Sequence, residues 1–437
     1  MKTIRAKAFW ILDFIKGSKI KTHYDDIAFI NLNDNIKATK KRREKHINTF
    51  LNHATETTPF YNKFKGFKEI ENFPVINKNI VKENFNHFKS NICIKKNKNR
   101  VATSGSTGVP FFIYQDANKK LRNSADSIYF LNKANYYLGE KLYHFGVYRS
   151  LNMNNPIKIW MQNKVYVDVI LFDDSHIKAL IKRLETNTSP INLLGFASTF
   201  ESICIYLDKI GSKSLSHIKI NSVIANSEYL NSYTKRSMEK YFNTPVVSRY
   251  SNAELGLIAQ QLPLQGKEEF NINWASYHVE ILKMGSDIPA ELGVLGRIVI
   301  TDLFNYSMPM IRYDTGDIGM FENLPTKSNP FPTLKKIEGR KMDSVYDTKG
   351  KIISSFVVYF YFYKYYPLLK QHQFIQTGKK EYLIKLNTYT GRFEYEQNLI
   401  ESIQEDFGKD ANVKISLVNE IPSLSSGKRK KVANFYC

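Results

Sequence analysis

Four hydroxyl side chains and two glycines fill the six consecutive positions Thr103-Ser104-Gly105-Ser106-Thr107-Gly108, directly ahead of the apolar run Val109-Pro110-Phe111-Phe112-Ile113-Tyr114. Glycine lets a backbone turn its N–H groups inward around an anion, and neutral hydroxyls add donors to the same anion. The chemistry this composition suits is phosphate binding. Two better-known phosphate loops are excluded. Val109 follows the second glycine, where a Lys-Ser/Thr pair would complete a P-loop. The run after it is strand-like, not the helix that a dinucleotide-binding turn opens. On its own the segment also reads as an ordinary polar loop.

Four further clusters lie downstream. Tyr250-Ser251-Asn252-Ala253-Glu254-Leu255-Gly256 follows the strand-like Pro245 to Ser248. A carboxylate at a strand end can hold a magnesium ion between phosphates, while an aromatic ring stacks on a base; the plain alternative is a polar turn. Met308-Pro309-Met310-Ile311-Arg312-Tyr313-Asp314-Thr315-Gly316-Asp317 ends in a carboxylate able to accept from both hydroxyls of a ribose. Its alternative is a turn in which Arg312 pairs with a nearby Asp. Gly339-Arg340-Lys341-Met342-Asp343 falls at an apparent domain boundary, and Ser425-Ser426-Gly427-Lys428-Arg429-Lys430-Lys431 lies near the C-terminus. A lysine on a Gly-containing loop can reach a phosphate whose charge grows in a transition state, or can be part of a basic tail.

The elements that must position these clusters change along the chain. The first hundred residues read as mostly helical, with charged and apolar residues interleaved from Ile36 to His53 and breaks at Thr57-Thr58-Pro59 and Phe73-Pro74. From Val101 to about Ile337, short β-branched or aromatic runs alternate with helical stretches. Ile191–Gly195, the helical Thr199–Ile210 and the strand-like Ile218–Ala225 are examples, and they predict α/β layers with largely parallel sheet. Val279–Leu282 and Gly296–Thr301 predict a more antiparallel subdomain. The last hundred residues predict a hairpin turning at Asp347–Gly350 and a helix over about Ser354–Tyr366. Strands follow at Gln371–Gln376 and Glu381–Leu386, then a helix near Tyr395–Asp406 and a strand at Val413–Val418. That set makes a small α+β unit suited to act as a mobile lid, with the aromatics Tyr359 to Tyr363 packed on its helix.

At 437 residues the chain exceeds one ordinary core and suits a large domain plus a smaller one. The formal charge of +22 invites a nucleic-acid or acidic-membrane partner. The charges are dispersed, however, and no basic–aromatic module accompanies them, so dedicated nucleic-acid binding is not expected. Of the two dense runs, Lys37 to Lys45 reads as a solvated helix face; Lys95 to Arg100 can steer an anionic substrate toward the loop that follows. Cys93, Cys204 and Cys437 form neither a disulfide framework nor a CxxC site, which fits a reducing, cytoplasmic setting. The apolar patch Ala8–Ile15 is interrupted by Asp13 and lacks the cleavage site of a signal peptide, and no run reaches membrane-spanning length. Peripheral attraction to an anionic membrane is open on charge alone.

Taken in order, the five clusters resemble the adenylate-forming superfamily, and most closely its phenylacetate–CoA ligase-like branch, which includes proteins associated with capsular polysaccharide biosynthesis. Thr57-Thr58-Pro59-Phe60-Tyr61, Phe73-Pro74-Val75-Ile76-Asn77-Lys78 and Gly195-Phe196-Ala197-Ser198 also look like phrases of that branch, so the resemblance spans nearly the whole chain. It implies an α/β fold with a large multi-subdomain N-terminal adenylate-forming domain over 1–338 and a small α+β C-terminal lid domain over 339–437. It implies a reaction in which a carboxylate attacks the α-phosphate of Mg-ATP, and an acceptor such as CoA then displaces AMP. By matching positions, Thr103, Ser104, Gly105, Ser106, Thr107 and Gly108 would hold the β- and γ-phosphates, with Thr107 counted among the catalytic residues. Glu254 would help bind magnesium. Tyr250, Ser251 and Asn252, together with the Asn226-Ser227-Glu228 segment, would line the nucleotide pocket. Asp317 and Arg340 would hold the ribose, and Lys428 would neutralise the α-phosphate during adenylation. Lid rotation between the half-reactions would confine Lys428 to the first.

Two departures stand out. Many relatives carry Gly-Arg-x-Asp-Asp at the hinge, whereas here Met342 takes the first Asp position and only Asp343 remains. Some members have a Cys/His zinc site after the magnesium-binding Glu; Ala259–Leu262 and Phe270–Asn273 offer neither residue, so no zinc is expected. Phe196, Ala197, Phe145 and Tyr148 are candidate substrate-pocket residues, each also readable as simple core. An aryl or small acyl carboxylate is the family's default substrate. The competing functions are transfer of AMP itself to a hydroxyl or sugar-linked acceptor, a non-catalytic nucleotide-binding relative, and polyanion binding by the basic surface.

Overall fold

The computed structural model of the protein describes residues 2–32, 35–66, 69–93, 99–103, 111–146, 148, 156–169, 172–264, 268–324, 331–340, 345–353, 358, 361, 362, 365, 368–422 and 431–436. In chain order, α1 (Lys2–Ile15), α2 (Lys19–Leu32), α3 (Ile36–Thr57) and α4 (Lys78–Glu83) precede the strands β1 (Asn99–Thr103) and β2 (Phe111–Gln115). Then come α5 (Ala117–Lys133), β3 (Lys141–Gly146), α6 (Pro156–Gln162), β4 (Lys164–Asp168), α7 (Asp174–Glu185), β5 (Ile191–Phe196), α8 (Ala197–Lys209), β6 (Ile220–Asn226) and α9 (Ser232–Phe242). A run of strands follows: β7 (Val246–Asn252), β8 (Gly256–Gln261), β9 (Phe270–Ile272), β10 (Tyr277–Leu282), β11 (Gly296–Asp302), β12 (Tyr313–Asn323) and β13 (Thr333–Arg340). The C-terminal region adds β14 (Val345–Tyr346), β15 (Ile352–Ile353), β16 (Leu369–Gln376), β17 (Glu381–Thr388), α10 (Glu396–Phe407), β18 (Asn412–Leu417) and β19 (Val432–Asn434).

The chain divides into two compact units. The first comprises Met1–Lys141, Met153–Lys164 and Val247–Ile337. Its main strands lie in the order β10-β11-β12-β13-β9-β8-β7, and the pairs β10–β11, β11–β12, β13–β9, β8–β9 and β7–β8 are all antiparallel. Phe50, Tyr61, Phe73, Ile76, Ile300, Met310 and Tyr313 share its main core, so the N-terminal helical region packs directly on this sheet. The helix expected from Ile36 begins there because Asn35 caps it, its side chain accepting from Ala38 N–H at 3.0 Å, and it ends where Thr58 turns extended before Pro59. On α5, the fully buried Lys119 and Arg122 meet Asp302 and Asp26, each at 2.7 Å, which pins that helix to the sheet and to α2. β1 and β2 form a separate hairpin with Thr103 opposite Phe111.

The second unit comprises Leu142–Asn152, Val165–Val246 and Glu338–Cys437. Its α/β part orders strands β6-β5-β3-β4, with β5 and β6 parallel as the alternation predicts. β5 reads Ile-Asn-Leu-Leu-Gly-Phe and is buried almost throughout, as suits a parallel strand covered on both faces by helices. Gly195 is required there, because a Cβ would come within 2.6 Å of the Phe145 Cβ. The C-terminal sheet has the order β18-β17-β16-β19, with β16–β17 antiparallel and the two outer pairs parallel. Its own core gathers Phe374, Tyr382, Ile384, Leu399, Ile403, Phe407 and Val432. Most of the helix expected over 354–366 lies outside the described residues; Val358, Tyr361 and Phe362 are helical and packed into that core.

Candidate functional site

The strand β12 begins inside the third cluster, and the two phrases near residues 57–61 and 73–78 turn out to be its scaffold. Ile76 bridges Tyr313 in parallel; Ile76 N–H donates to the Arg312 carbonyl at 2.9 Å, and Asp314 N–H donates to the Ile76 carbonyl at 2.7 Å. The Tyr61 hydroxyl accepts from Ile311 N–H at 3.2 Å. Arg312 adopts a left-handed backbone, φ 50°, and its guanidinium is nearly enclosed. It donates to both Glu280 carboxylate oxygens, at 3.1 and 2.8 Å, and to the carbonyls of Glu71 and Phe73, at 3.0 and 2.9 Å. The alternative reading, a turn in which Arg312 pairs with a nearby Asp, is thus not met: Glu280 is the partner. Asp314 instead pairs with Arg297 at 2.7 Å, and Arg297 also holds Asp287 at 2.7 Å. Breaking a buried pair such as Arg312–Glu280 costs about 3–5 kcal/mol, so the backbone of this cluster is fixed before any ligand arrives.

On that scaffold the second and third clusters meet. The Tyr250 hydroxyl donates to Asp317 Oδ2 at 2.6 Å, with Thr315 Oγ1 at 3.4 Å. Burial, and then the Asp317 carboxylate, push the Tyr250 phenol well above its ordinary range, so it acts as a donor only. Thr315 in turn donates to the Ile298 carbonyl at 3.0 Å and accepts from Asp317 N–H at 3.1 Å. The strand expected to stop at Ser248 continues as β7 through Tyr250, Ser251 and Asn252, because Tyr250 pairs with Ala259 and Asn252 with Gly256 of β8. The turn lies just beyond, where the Asn252 side chain accepts from Leu255 N–H at 2.8 Å. Gly256 closes it at φ 104°, and a Cβ there would come within 2.6 Å of Asn123 Oδ1.

Glu254 sits in this turn and is 4% exposed. Its carbonyl accepts from the Gln115 side chain at 2.9 Å, tying the turn to β2. Its carboxylate receives no hydrogen bond from a described residue. A carboxylate that its own chain does not engage is open to a cation, and an oxygen-only donor of this kind suits magnesium. After β8, where some relatives have zinc ligands, buried amides satisfy the backbone: Gln260 donates to the Phe130 carbonyl at 2.7 Å and Asn273 to the Leu257 carbonyl at 3.1 Å.

In the second unit, β5 runs straight into α8 at Phe196 and Ala197. Ala197 is buried and Phe196 partly so, both against the α/β core that also takes Phe145. Ser198 N–H, at the start of α8, donates to Glu228 Oε2 at 2.8 Å, so Glu228 caps this helix. Ser227 precedes it at φ 65°, and the neighbouring Asn226 Oδ1 is buried with no hydrogen-bond partner among the described residues. The Tyr148 hydroxyl lies 2.7 Å from His144 Nδ1, with its ring 5.0 Å from that of Tyr166.

Ser104 to Gly108, Met342, Asp343 and Lys428 lie outside the described residues, as do the side chains of Thr103 and Arg340. The chain is described again at Lys431, and there it shows a contact that sequence reasoning missed. Lys431 is paired with the buried Glu201 of α8, whose other oxygen accepts from Asn231 at 2.7 Å. Burial draws the Lys431 ammonium down from its usual range. Arg297 and Gln115 were missed for the same reason as Glu201: their partners are distant in sequence and no short motif marks them.

Comparison with known proteins agrees with this architecture. Residues 345–434 match the family described as the CapK C-terminal domain. The chain is 25% identical over 446 residues to Protein CapK of Staphylococcus aureus, covering 96% of this chain and 94% of that one. Among solved structures, 2-hydroxyisobutyryl-CoA ligase in the postadenylation state with 2-HIB-AMP aligns at TM-score 0.68 and 16% identity, over 91% of this chain and 90% of that chain. ATP-bound MatB from Rhodopseudomonas palustris aligns at TM-score 0.55 and 15% identity, over 76% of this chain and 66% of that chain. The chain therefore has the fold of these CoA ligases, and its residues 345–434 are similar to the CapK C-terminal domain.

Proposed function

We propose that the protein is an ATP-dependent ligase that activates a carboxylic acid as an acyl-adenylate and passes the acyl group to CoA or another acceptor. The observation that carries this reading is the order of the five clusters along a chain whose fold is that of solved acyl-CoA ligases. In the first step a substrate carboxylate oxygen attacks the α-phosphorus of ATP, the α–β bridging P–O bond breaks, and pyrophosphate leaves. In the second, the acceptor attacks the acyl carbonyl and AMP leaves.

The roles follow the positions of the motifs, and the described residues have settings that support theirs. Thr103 to Gly108, with Thr107 contributing to catalysis, bind the β- and γ-phosphates. Glu254 holds magnesium, which when bound offsets phosphate charge. Asp317, already oriented by Tyr250, accepts from the ribose together with donation from Arg340. Tyr250, Ser251, Asn252, Ser227 and Glu228 belong to the nucleotide pocket, and the unpartnered Asn226 Oδ1 suits the amino group of adenine. Phe196, Ala197 and Tyr148 face the acyl group. Lys428 stabilises the α-phosphate within a C-terminal lid spanning 339–437, which pivots at Met342 and Asp343 on a domain spanning 1–338. A role in surface polysaccharide biosynthesis rests on the branch the motifs resemble.

Pyrophosphate release from Mg-ATP, screened over aryl, short-chain, hydroxy and amino acids with and without CoA, tests this function. A carboxylate-dependent signal that drops by two or more orders of magnitude in Lys428→Ala, with ATP binding kept, is expected. AMP retained on the product would instead identify an adenylyl transferase. Silence over the whole panel despite ATP binding would favour a fold kept without this reaction.

A further inference from the structure

α1 is an amphipathic helix that turns an apolar face outward. Its inner face is anchored: Asp13 is buried, with its two carboxylate oxygens accepting from Ile20 N–H at 3.0 Å and Lys21 N–H at 2.8 Å at the start of α2. Its outer face carries Ile4, Ile11 and Ile15 at spacings of seven and four, the repeat of a single helix stripe, with Phe14 beside them. Phe14 and Ile15 are 75% and 71% exposed. The neighbouring helix α6 adds Ile157, 62% exposed, and Trp160, 44% exposed. The two helices are joined by the Arg5 guanidinium, which lies 5.4 Å from the centre of the Trp160 ring.

Charge decides what such a face fits. Residues 1–24 contain six basic residues and one acid, and that acid, Asp13, is the one turned inward. Lys7, Lys16 and Lys19 are exposed. Residues 156–164, which include α6, contain no acid. Apolar side chains, an indole and the exposed Lys7, Lys16 and Lys19 on neighbouring helices are what an anionic bilayer interface binds: acyl-chain contact for the isoleucines and Phe14, headgroup level for Trp160, phosphate for the lysines. We propose that the α1–α6 face docks the protein on anionic phospholipid membranes, independently of the nucleotide chemistry.

Co-sedimentation of the full chain with vesicles tests this, using phosphatidylcholine alone against an equimolar mixture with phosphatidylglycerol. Binding to the mixed vesicles and little to the neutral ones is expected, with a blue-shifted tryptophan emission in the bound state. Phe14→Glu/Ile15→Glu should lower the bound fraction about tenfold while leaving the unfolding midpoint and pyrophosphate release unchanged. Equal binding by that variant, or a wild-type chain that ignores both vesicle types, would overturn the proposal. So would a dimer that Phe14→Glu dissolves in a chain that does not bind vesicles, since the face would then belong to a second copy.

Discussion

Asp317 and Glu254 are two carboxylates of the same unit, delivered by two motifs of similar appearance, and the protein treats them oppositely. Asp317 is held from its own chain, with the Tyr250 hydroxyl at 2.6 Å and a backbone N–H braced by Thr315. Glu254 is largely buried as a residue, yet its carboxylate takes no hydrogen bond from a described residue and its oxygens are not enclosed. The first arrangement orients an acceptor in advance, so that a ribose meets oxygen atoms already in place. The second leaves its oxygens uncommitted, so that an incoming cation meets no competing donor. Preorganisation and availability are therefore divided between the two positions: one is braced by its own chain, the other is kept for a ligand.

Glu254→Gln should break the contrast most severely. Losing the charge is expected to lower pyrophosphate release about 10²–10³-fold while the unfolding midpoint, read without nucleotide, holds. Asp317→Ala should behave in reverse order, because it strands the Tyr250 hydroxyl. A stability loss of about 1–3 kcal/mol in urea unfolding is expected, together with a higher KM for ATP and a smaller fall in turnover. A third effect comes through the scaffold. Burial first, then the Arg43 and Arg312 charges, lower the His278 imidazole from 6.5 to about 3. A folded-state value below the unfolded one means stability is full above pH 6.5 and is lost as pH falls toward 3. At pH 5 His278 should account for about 1–2 kcal/mol of lost stability, and His278→Gln should flatten that part of the pH profile.

Much of the fold was legible because it depends on local pattern. The strands at Ile191 and Ile220, the helix from Ile36 and the C-terminal hairpin follow from periodicity and caps. The extension of β7 through Tyr250–Asn252 was not legible, since a strand end is set by its partner and here β8 supplies it. The partner of Arg312 was not legible for the same reason: the alternative reading of that cluster paired it with a nearby Asp, but the left-handed backbone at Arg312 accompanies a side chain directed to Glu280 instead. Buried pairs such as Lys119–Asp302 and Lys431–Glu201 leave no mark in sequence at all, because both members look like ordinary surface charges until the fold encloses them. The motifs supplied the candidate residues and, through Tyr61 and Ile76, part of their scaffold; Glu280, Arg297 and Gln115, which no motif contains, supplied the rest.

The most direct measurement is a magnesium titration of ATP binding and pyrophosphate release in the wild-type chain and in Glu254→Gln, side by side. A cation held at Glu254 predicts steep magnesium dependence in the wild type and a response shifted by at least tenfold in the variant, with the unfolding midpoint preserved. Superimposable magnesium curves for the two proteins would contradict the assignment of Glu254 and the division of labour between the two carboxylates.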